Sequence, residues 1–236
     1  APNWNNQPEN HVLLEEVQTL VESYGKRFMV CEAPDDPPAY AAATSCGRAF
    51  AFQAPGAIFN SARNESTDSG VVGVLNTPGF DGMPLILSNH DAFAGDRAWN
   101  QVGGDAEQYK LAAATYILAS RTPFTYYGEE VGMANASGYP DDRKLRTPMS
   151  WTPDIVTAGF TTGTPFRDLS DNVATHNVMD EEGVGDSLLE YYRALYQLRI
   201  THPVIARGDM TLQTDAGDPV LMFTRAQAGS VAVVAI

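Results

Sequence analysis

The chain has 236 residues, 44% of them hydrophobic, which is enough for one large domain with a substantial core. The formal net charge of -14, with lysines only at positions 26, 110 and 144, argues against nucleic acids and anionic membrane surfaces as partners. No apolar run approaches the roughly 18 residues of a membrane-spanning helix, and we expect a secreted or periplasmic location rather than a cytoplasmic one.

The N-terminal region is predicted to be a loop followed by a helix. Residues 1–9 are polar and contain two prolines, which is typical of a loop. Apolar residues then recur with helical spacing over residues 11–24. Asn10 is the expected N-cap of this helix, and Gly25 is expected to end it.

Three short apolar segments each run into polar and acidic residues, and we interpret them as buried strands. They are residues 27–31 before Glu32, residues 85–87 before Ser88-Asn89-His90-Asp91, and residues 122–127 before Glu129 and Glu130. In a parallel barrel, such strand ends meet at the C-terminal rim, where active sites lie. A glycosidase needs two carboxyl groups close together, and carboxylates from separate strands that meet at one rim meet this requirement.

The remaining pattern alternates helices with strands. A further strand is predicted over residues 49–53, and helices over residues 39–46, within 55–82, over 105–120 and over 186–200. This alternation predicts an α/β fold with parallel strands. The long stretch 128–184 has little periodicity, and its aromatic residues favour a folded loop above a binding site. After Pro203, three short strands over 210–214, 220–225 and 230–236 predict an antiparallel β region.

Several segments, in order, resemble the α-amylase family (glycoside hydrolase family 13). They are Ser88–Asp91 for the seventh strand, Pro123–Met133 for the eighth, Arg146–Trp151 and Ala158–Pro165 for the following loop, and Asp186–Arg199 for the last barrel helix. The resemblance implies that residues 1–202 are the second half of a (β/α)₈ TIM barrel, strands five to eight. It implies that residues 203–236 are the truncated start of a C-terminal antiparallel β domain.

The resemblance also implies roles for individual residues in a retaining mechanism, which needs an acid and a nucleophile. Glu32 matches the general acid/base, Asp91 the carboxylate that stabilises the transition state, and His90 a hydrogen bonder to sugar hydroxyls. Asn89 is expected to orient its neighbours, while Arg97, Tyr127 and Trp151 are candidates for lining the substrate subsites. Alternatively, a glutamate at a barrel rim can form a structural ion pair, and an aromatic residue there can pack against its neighbours. Glu129 and Glu130 could have only a structural role in supporting the rim.

One part of the family pattern has no counterpart in this sequence. The family's nucleophile is an aspartate at the end of the fourth strand, in a segment that also supplies an arginine and a histidine. Asp35 and Asp36 do not match that segment. The calcium ligands of the first barrel half are missing too, so we expect no metal in this chain and calcium only in a complete enzyme.

We therefore expect part of an enzyme that cleaves α-glucosidic bonds in starch-like glucans or maltooligosaccharides and is inactive as this chain alone. Its expected partners are an N-terminal barrel half or a second copy of itself. The alternative is an inactive half-barrel that self-associates through open strand edges or only binds sugar. Bond preference, and hydrolysis as opposed to transglycosylation, stay open.

The two cysteines, Cys31 and Cys46, allow two interpretations. Buried free thiols are favoured over a disulfide. A zinc site is not expected, because no histidine lies near the pair in the sequence.

Overall fold

The computed structural model describes residues 6–236, so residues 1–5 of the predicted N-terminal loop lie outside the described part. The predicted helix is present, but it begins earlier, as α1 over Pro8–Ser23. Gln7 is its N-cap, and the expectation for Asn10 is wrong. A proline in the first turn favours this earlier start, because its φ is already helical and the first helical N–H groups have no intrahelical acceptor.

Helices make up most of the regular structure within residues 6–236. They are α1 (Pro8–Ser23), α2 (Pro37–Ala41), α3 (Ala54–Asn64), α4 (Ser69–Leu75), α5 (Ala98–Gln101), α6 (Ala106–Ala119), α7 (Val178–Glu181), α8 (Leu188–Thr201) and α9 (Pro203–Arg207). The predicted helices over 105–120 and 186–200 are confirmed as α6 and α8. Asp105 and Ser187 cap them by accepting backbone N–H bonds. In the described chain, no helix combines the length and the apolar character that crossing a membrane requires.

The core forms around α6, which packs against both α3 and α8. Ala112, Ala113 and Ala119 on α6 are fully buried, because their small side chains let neighbouring elements approach closely. Leu85 and Leu87 from the predicted buried strand join the same core. Burial of each leucine side chain stabilises the fold by roughly 1.5–3 kcal/mol.

Four strand-like segments lie side by side over residues 27–31, 48–51, 83–87 and 122–126. The first two pair in parallel at Cys31 and Ala49. The Cys31 N–H donates to the Arg48 carbonyl at 2.9 Å, and the Cys31 carbonyl accepts from Phe50 at 3.1 Å. Each segment is therefore held by its neighbour in chain order.

The later segments are linked in the same way. The bonds run from Ala49 N–H to the Gly82 carbonyl (3.1 Å), from Ala51 N–H to the Pro84 carbonyl (3.0 Å), and from Phe124 N–H to the Leu85 carbonyl (2.9 Å). From the first of these bonds to the second, the donor moves from Ala49 to Ala51 and the acceptor moves from Gly82 to Pro84. Both advance by two residues, so the second and third segments run in the same direction. The prediction of regular strands in all four places is wrong, since Pro84 and Pro123 have no N–H to continue a ladder.

The three strands predicted after Pro203 are confirmed. They are β1 (Asp209–Leu212), β2 (Met222–Gln227) and β3 (Ser230–Ala235), in an antiparallel sheet of order β1-β2-β3. Phe223 pairs with Val234, and both side chains are buried on the face toward the core. At Gly208, just before β1, a Cβ atom would lie 2.6 Å from the Val204 carbonyl oxygen, so only glycine fits this close approach.

Two buried arginines bind the carbonyl groups at the C-terminal end of α6. Arg199 of α8 donates to the carbonyl oxygens of Ile117, Ser120 and Arg121, at 2.6, 2.7 and 2.8 Å. Arg225 of β2 donates to the carbonyl oxygens of Ala119 and Gly208. The last carbonyls of a helix lack intrahelical donors, and they carry partial negative charge. The two guanidinium groups thus satisfy this end of α6 and connect it to α8 and to the sheet.

Cys31 and Cys46 form a disulfide, so the preference for free thiols is wrong. The predicted helix over 39–46 ends early, because the backbone at Ala42 is extended and turns the chain back. This turn brings the Cα atoms of the two cysteines to 6.2 Å, within the range that a disulfide spans. The bond ties the first strand-like segment to the loop that follows α2.

Among the exposed apolar side chains of residues 6–236, two groups lie near the segments and α1. On α1, Val12, Leu13 and Leu20 are each more than half exposed, and no residue of this helix is buried. On the strand-like segments, a group of rings that we name the aromatic face has centroid separations of 4.9–6.0 Å. Its members are Phe28, Phe50, Phe52, Phe93 and Phe124. Phe28 and Phe93 are 47% and 60% exposed.

The buried arginine of α8 should matter far more to stability than an exposed one. We expect Arg199→Ala to lower the free energy of unfolding by about 3 kcal/mol, because three carbonyls lose a charged donor. Arg193→Ala on the same helix removes exposed ion pairs and should cost less than about 1 kcal/mol. Parallel urea unfolding curves measure both, and equal losses would contradict the buried role.

Candidate active site

Acidic side chains follow three of the strand-like segments, as the sequence predicts. Glu32 follows the first segment, Asp91 the third, and Glu129 and Glu130 the fourth. The first three segments run in one direction, so Glu32 and Asp91 lie beyond the same edge. A direct contact between Ser88 and Glu129 brings the ends of the third and fourth segments together.

Glu32 is exposed, and its carboxylate makes no hydrogen bond or ion pair with residues 6–236. Its backbone position is well defined, because the preceding Cys31 pairs with the second segment and forms the disulfide. The alternative of a structural salt bridge therefore finds no partner for Glu32 in the described chain. A carboxyl group on a fixed backbone can exchange a proton with a ligand without first breaking another contact.

Asn89, His90 and Asp91 form a tight turn at the end of the third segment. The Oδ1 atom of Asn89 accepts the N–H of Asp91 at 2.8 Å, which is an Asx-turn that fixes the direction of the Asp91 backbone. The Nε2 atom of His90 lies 3.5 Å from Oδ1 of Asp91. The imidazole is 56% exposed and the carboxylate 25%, so both present polar atoms to solvent.

Arg146 and Asp142 hold this turn from the loop that follows the fourth segment. Arg146 donates from Nη2 to Oδ1 of Asp91 at 2.7 Å and from Nε to the His90 carbonyl at 3.0 Å. The same Nη2 donates to Oδ2 of Asp142 at 2.8 Å, and Oδ1 of Asp142 accepts the N–H of Ala92 at 2.8 Å. All the hydrogen bonds that the Asp91 side chain accepts from the described chain are at Oδ1, which leaves Oδ2 for a ligand.

Sequence reasoning gave no role to Arg146, although this residue belongs to a segment that carries the resemblance. The contact joins positions 55 residues apart, and no periodicity connects them. Only the folded loop brings the guanidinium to Asp91. The available signal in the sequence was that Arg146 begins one of the segments that resemble the family.

Glu129 lies beneath the turn and is fully buried. Its Oε1 atom accepts two bonds from Ser88, one from the backbone N–H at 3.1 Å and one from Oγ at 2.6 Å. Burial raises the pKa of Glu129 to about 8, and the charge of Glu130 also raises it. The bonds from Ser88 and the charge of Arg97 act in the opposite direction. These contacts indicate a structural role in which Glu129 supports the turn from the interior.

Arg97 is only 1% exposed and lies inside the protein. Its guanidinium donates to the carbonyls of Tyr127 and Leu145 at 2.9 and 2.7 Å and to the Thr147 hydroxyl at 3.2 Å. It also lies 4.9 Å from the ring centroids of both Tyr126 and Tyr127. Its contacts support a structural role in which Arg97 holds Tyr127 and the following loop, and direct contact with a substrate stays a prediction.

Tyr127 and Trp151 are at the surface, unlike Arg97. The Tyr127 hydroxyl donates to the Thr147 carbonyl at 2.5 Å, which leaves its 39%-exposed ring accessible. Trp151 is 49% exposed, and its N–H bonds to the Ala158 carbonyl at 2.9 Å. The predicted folded loop within 128–184 is thus ordered by its own backbone bonds, and it presents aromatic side chains outward.

Within residues 6–236, no group of three or more His, Cys, Asp or Glu side chains is arranged to hold a metal ion. Arg146 binds one oxygen of the Asp91 carboxylate, and Ser88 binds one oxygen of Glu129. Glu32, with a free carboxyl group, and the hydrogen-bonded carboxylate of Asp91 lie beyond the same edge of the segments, an arrangement that supports proton transfer.

The α-amylase catalytic-domain family model matches residues 2–208. The chain belongs to the α-amylase family. The predicted resemblance to glycoside hydrolase family 13 is thereby confirmed, and it extends over most of the chain, including the turn with Asp91 and the segment with Glu32.

Individual relatives agree with the family. The α-amylase SusG from Bacteroides thetaiotaomicron is 39% identical over 125 residues, which cover 53% of this chain and 17% of that protein. The trehalose synthase/amylase TreS from Mycobacterium tuberculosis is 28% identical in an alignment of 274 positions that covers 96% of this chain and 45% of that protein. The crystal structure of an α-amylase from H. orenii has a TM-score of 0.74 at 23% identity, and it covers 96% of this chain and 46% of that one.

The α-amylase-family chain described here spans less than half the length of these three proteins. At 23% identity, the structural similarity shows a shared fold over part of that protein and carries no information on substrate. The relatives' names include a hydrolase and a synthase, so the family relationship alone does not decide between hydrolysis and transfer.

Titration of Glu129 should make stability fall as pH rises. Its pKa is about 8 in the folded chain, against an ordinary value of 4.5, so the folded state keeps a proton that the unfolded chain loses. Stability from this proton is fully present below pH 4.5 and is lost as pH rises through about 8. Between these limits, the free energy of unfolding should fall by roughly 1.4 kcal/mol per pH unit relative to Glu129→Gln.

Urea unfolding from pH 5 to 9 measures this slope. Glu16→Gln, on the exposed side of α1, is the matched control and should keep the wild-type pH dependence. Parallel profiles for wild type and Glu129→Gln would mean that Glu129 keeps its ordinary pKa.

Proposed function

We propose that this chain provides the second half of an α-amylase-family barrel, strands five to eight, over residues 1–202, and the start of the C-terminal β domain over residues 203–236. It takes part in cleaving α-glucosidic bonds of starch-like glucans or maltooligosaccharides. The observation that supports this most directly is the chain-order pairing of the four strand-like segments, with Glu32 and Asp91 beyond the same edge.

Glu32 acts as the general acid/base. It protonates the glycosidic oxygen as the bond breaks, and it later removes a proton from the water that attacks the glycosyl intermediate. Its fixed backbone and the absence of a side-chain partner within residues 6–236 support this assignment. The nucleophile has no counterpart in this sequence, so it comes from an N-terminal barrel half.

Asp91 stabilises the oxocarbenium-like transition state through the carboxylate oxygen that Arg146 does not occupy. His90 binds a sugar hydroxyl, because its exposed imidazole lies against the same carboxylate. Asn89 fixes the turn that presents both. Tyr127 and Trp151 line the subsites, where exposed rings pack on the apolar faces of sugars, and Arg97 acts through Tyr127.

The apolar surfaces indicate what covers this chain in the working enzyme. The aromatic face is where the interior of a closed barrel would be, and exposed patches of this kind mark interaction sites. A groove beside the fourth segment, lined in part by Thr125, Tyr196 and Ile200, is also open. An N-terminal barrel half would cover α1, the aromatic face and this groove together.

A second candidate is an inactive half-barrel that pairs with a copy of itself. The same exposed apolar surfaces support it, because two copies could bury their aromatic faces against each other. Light scattering of the purified chain distinguishes the candidates. A stable dimer that binds maltooligosaccharides without cleaving them supports the second, and a monomer that assembles with an N-terminal half supports the first.

Activity should require both barrel halves and Glu32. We expect the chain alone to be inactive on a nitrophenyl α-glucoside, and the chain co-expressed with an α-amylase-family N-terminal half to be active. In that assembly, Glu32→Gln should lower kcat by about 10²- to 10⁴-fold, the usual contribution of a general acid. Glu107→Gln, at the exposed start of α6, is the control and should change little. Activity of the chain alone would mean that it contains its own nucleophile.

Arg146 should matter for catalysis and Arg143 should not. Arg146→Ala removes the donor that orients Asp91, so kcat/KM of the assembled enzyme should fall by about 10- to 100-fold, as for loss of one charged hydrogen bond. Arg143 pairs with the exposed Asp141 and is the matched control. Equal activities of the two variants would exclude this orienting role.

A further inference from the structure

Ser88 and Glu129 form a buried polar pair directly below the turn that carries Asp91. Ser88 and Glu129 are each only 2% exposed. A single carboxylate oxygen accepts both polar hydrogens of Ser88, at 3.1 and 2.6 Å. Ser88 is therefore fixed in backbone and in side chain by one residue that follows the fourth segment, immediately before Asn89 begins the turn.

The other oxygen of Glu129 continues the network away from the turn. Oε2 lies 3.4 Å from the Tyr116 hydroxyl, which is 2.7 Å from Oγ1 of Thr125, and Thr125 is 2.5 Å from the Tyr196 hydroxyl. The main-chain carbonyl of Glu129 accepts from Tyr109 at 2.8 Å. Elements α6, α8 and the fourth segment thus hold Glu129, so that its carboxylate has little freedom to move.

We propose that Glu129 is a positioning residue that, by holding Ser88, sets the orientation of the Asn89-His90-Asp91 turn toward the sugar. This inference rests on the role proposed above for Asp91. It complements Arg146, which holds the same turn from the solvent side. The two contacts differ in exposure. The side chain of Arg146 is partly exposed to solvent, whereas Glu129 and Ser88 are buried.

The charged and titratable groups around Glu129 are compatible with a neutral carboxyl group at physiological pH. Glu130 disfavours its charge and Arg97 favours it, while Tyr109, Tyr116 and Tyr192 are buried around it and have raised pKa values. A neutral glutamic acid keeps Oε1 as the acceptor for Ser88. Glu129→Gln reproduces that acceptor without charge, and Glu129→Ala removes it.

The first test is made on this chain alone by NMR, with the amide resonances of residues 88–91 as the readout. Glu129→Ala should shift all four amides by more than 0.3 ppm in the proton dimension, and Glu129→Gln should leave them near their wild-type positions at pH 6. Ser88→Ala should shift the turn in the same direction without deleting a buried acid, which keeps the test valid if Glu129→Ala does not fold. Unmoved turn amides in Ser88→Ala and in any folded Glu129→Ala would overturn the proposal.

Tyr109→Phe is the matched control, because it removes a buried hydrogen bond to the same residue without touching Ser88. It should lower stability and leave the amides of residues 88–91 in place. A shift of the turn in Tyr109→Phe as large as in Ser88→Ala would overturn the proposal, since it would mean that general loosening of the core moves the turn.

The second test uses the assembled two-half enzyme. Glu129→Ala should lower kcat more than tenfold with less than a threefold change in KM, and Glu129→Gln should restore kcat at pH 6. Unchanged kcat in a variant with shifted amides would overturn the link to catalysis. An assembly that is inactive even with the wild-type chain would contradict the proposed function, whereas the NMR result would still decide whether Glu129 holds the turn.

Discussion

Backbone hydrogen bonds between neighbouring strand-like segments are the constraint on which the candidate site depends. The bonds of Cys31 with Arg48 and Phe50, and that of Phe124 with Leu85, bring parts of the chain from four places in the sequence to one edge. Parallel neighbours put their ends on the same side, so polar residues that follow them become spatial neighbours. Few bonds join each pair, and the core around α6 and the disulfide supply the remaining support.

Two buried polar side chains, Arg199 and Glu129, each make several hydrogen bonds, and these bonds make their burial tolerable. Arg199 has three carbonyl acceptors at the end of α6, and Glu129 has both donors of Ser88. In each case the buried polar side chain binds backbone groups of a neighbouring element. The interior is thus extensively hydrogen-bonded where it supports the rim, whereas Glu32 at the rim itself has no partner among residues 6–236.

The exposed apolar surfaces contrast with this well-packed interior. Phe28 and Phe93 on the aromatic face, and Leu13 on α1, remain in contact with water although each would gain from burial. In the proposed barrel they face an N-terminal half that also brings the nucleophile. A site completed from two halves would then be assembled by the same hydrophobic contacts that complete the fold, which would couple catalysis to assembly.

The sequence by itself determined what local patterns encode: the helices α1, α6 and α8, the antiparallel strands after Pro203, and the family, through the segment around Asp91 and the one after Pro123. Only the tertiary structure decided which distant residues meet. The disulfide, the Arg146–Asp91 contact and the burial of Arg97 each join positions with no periodic relation, because they depend on how loops turn back over the segments. Periodicity reports which face of an element is buried, whereas contacts between loops follow from packing that no local pattern records.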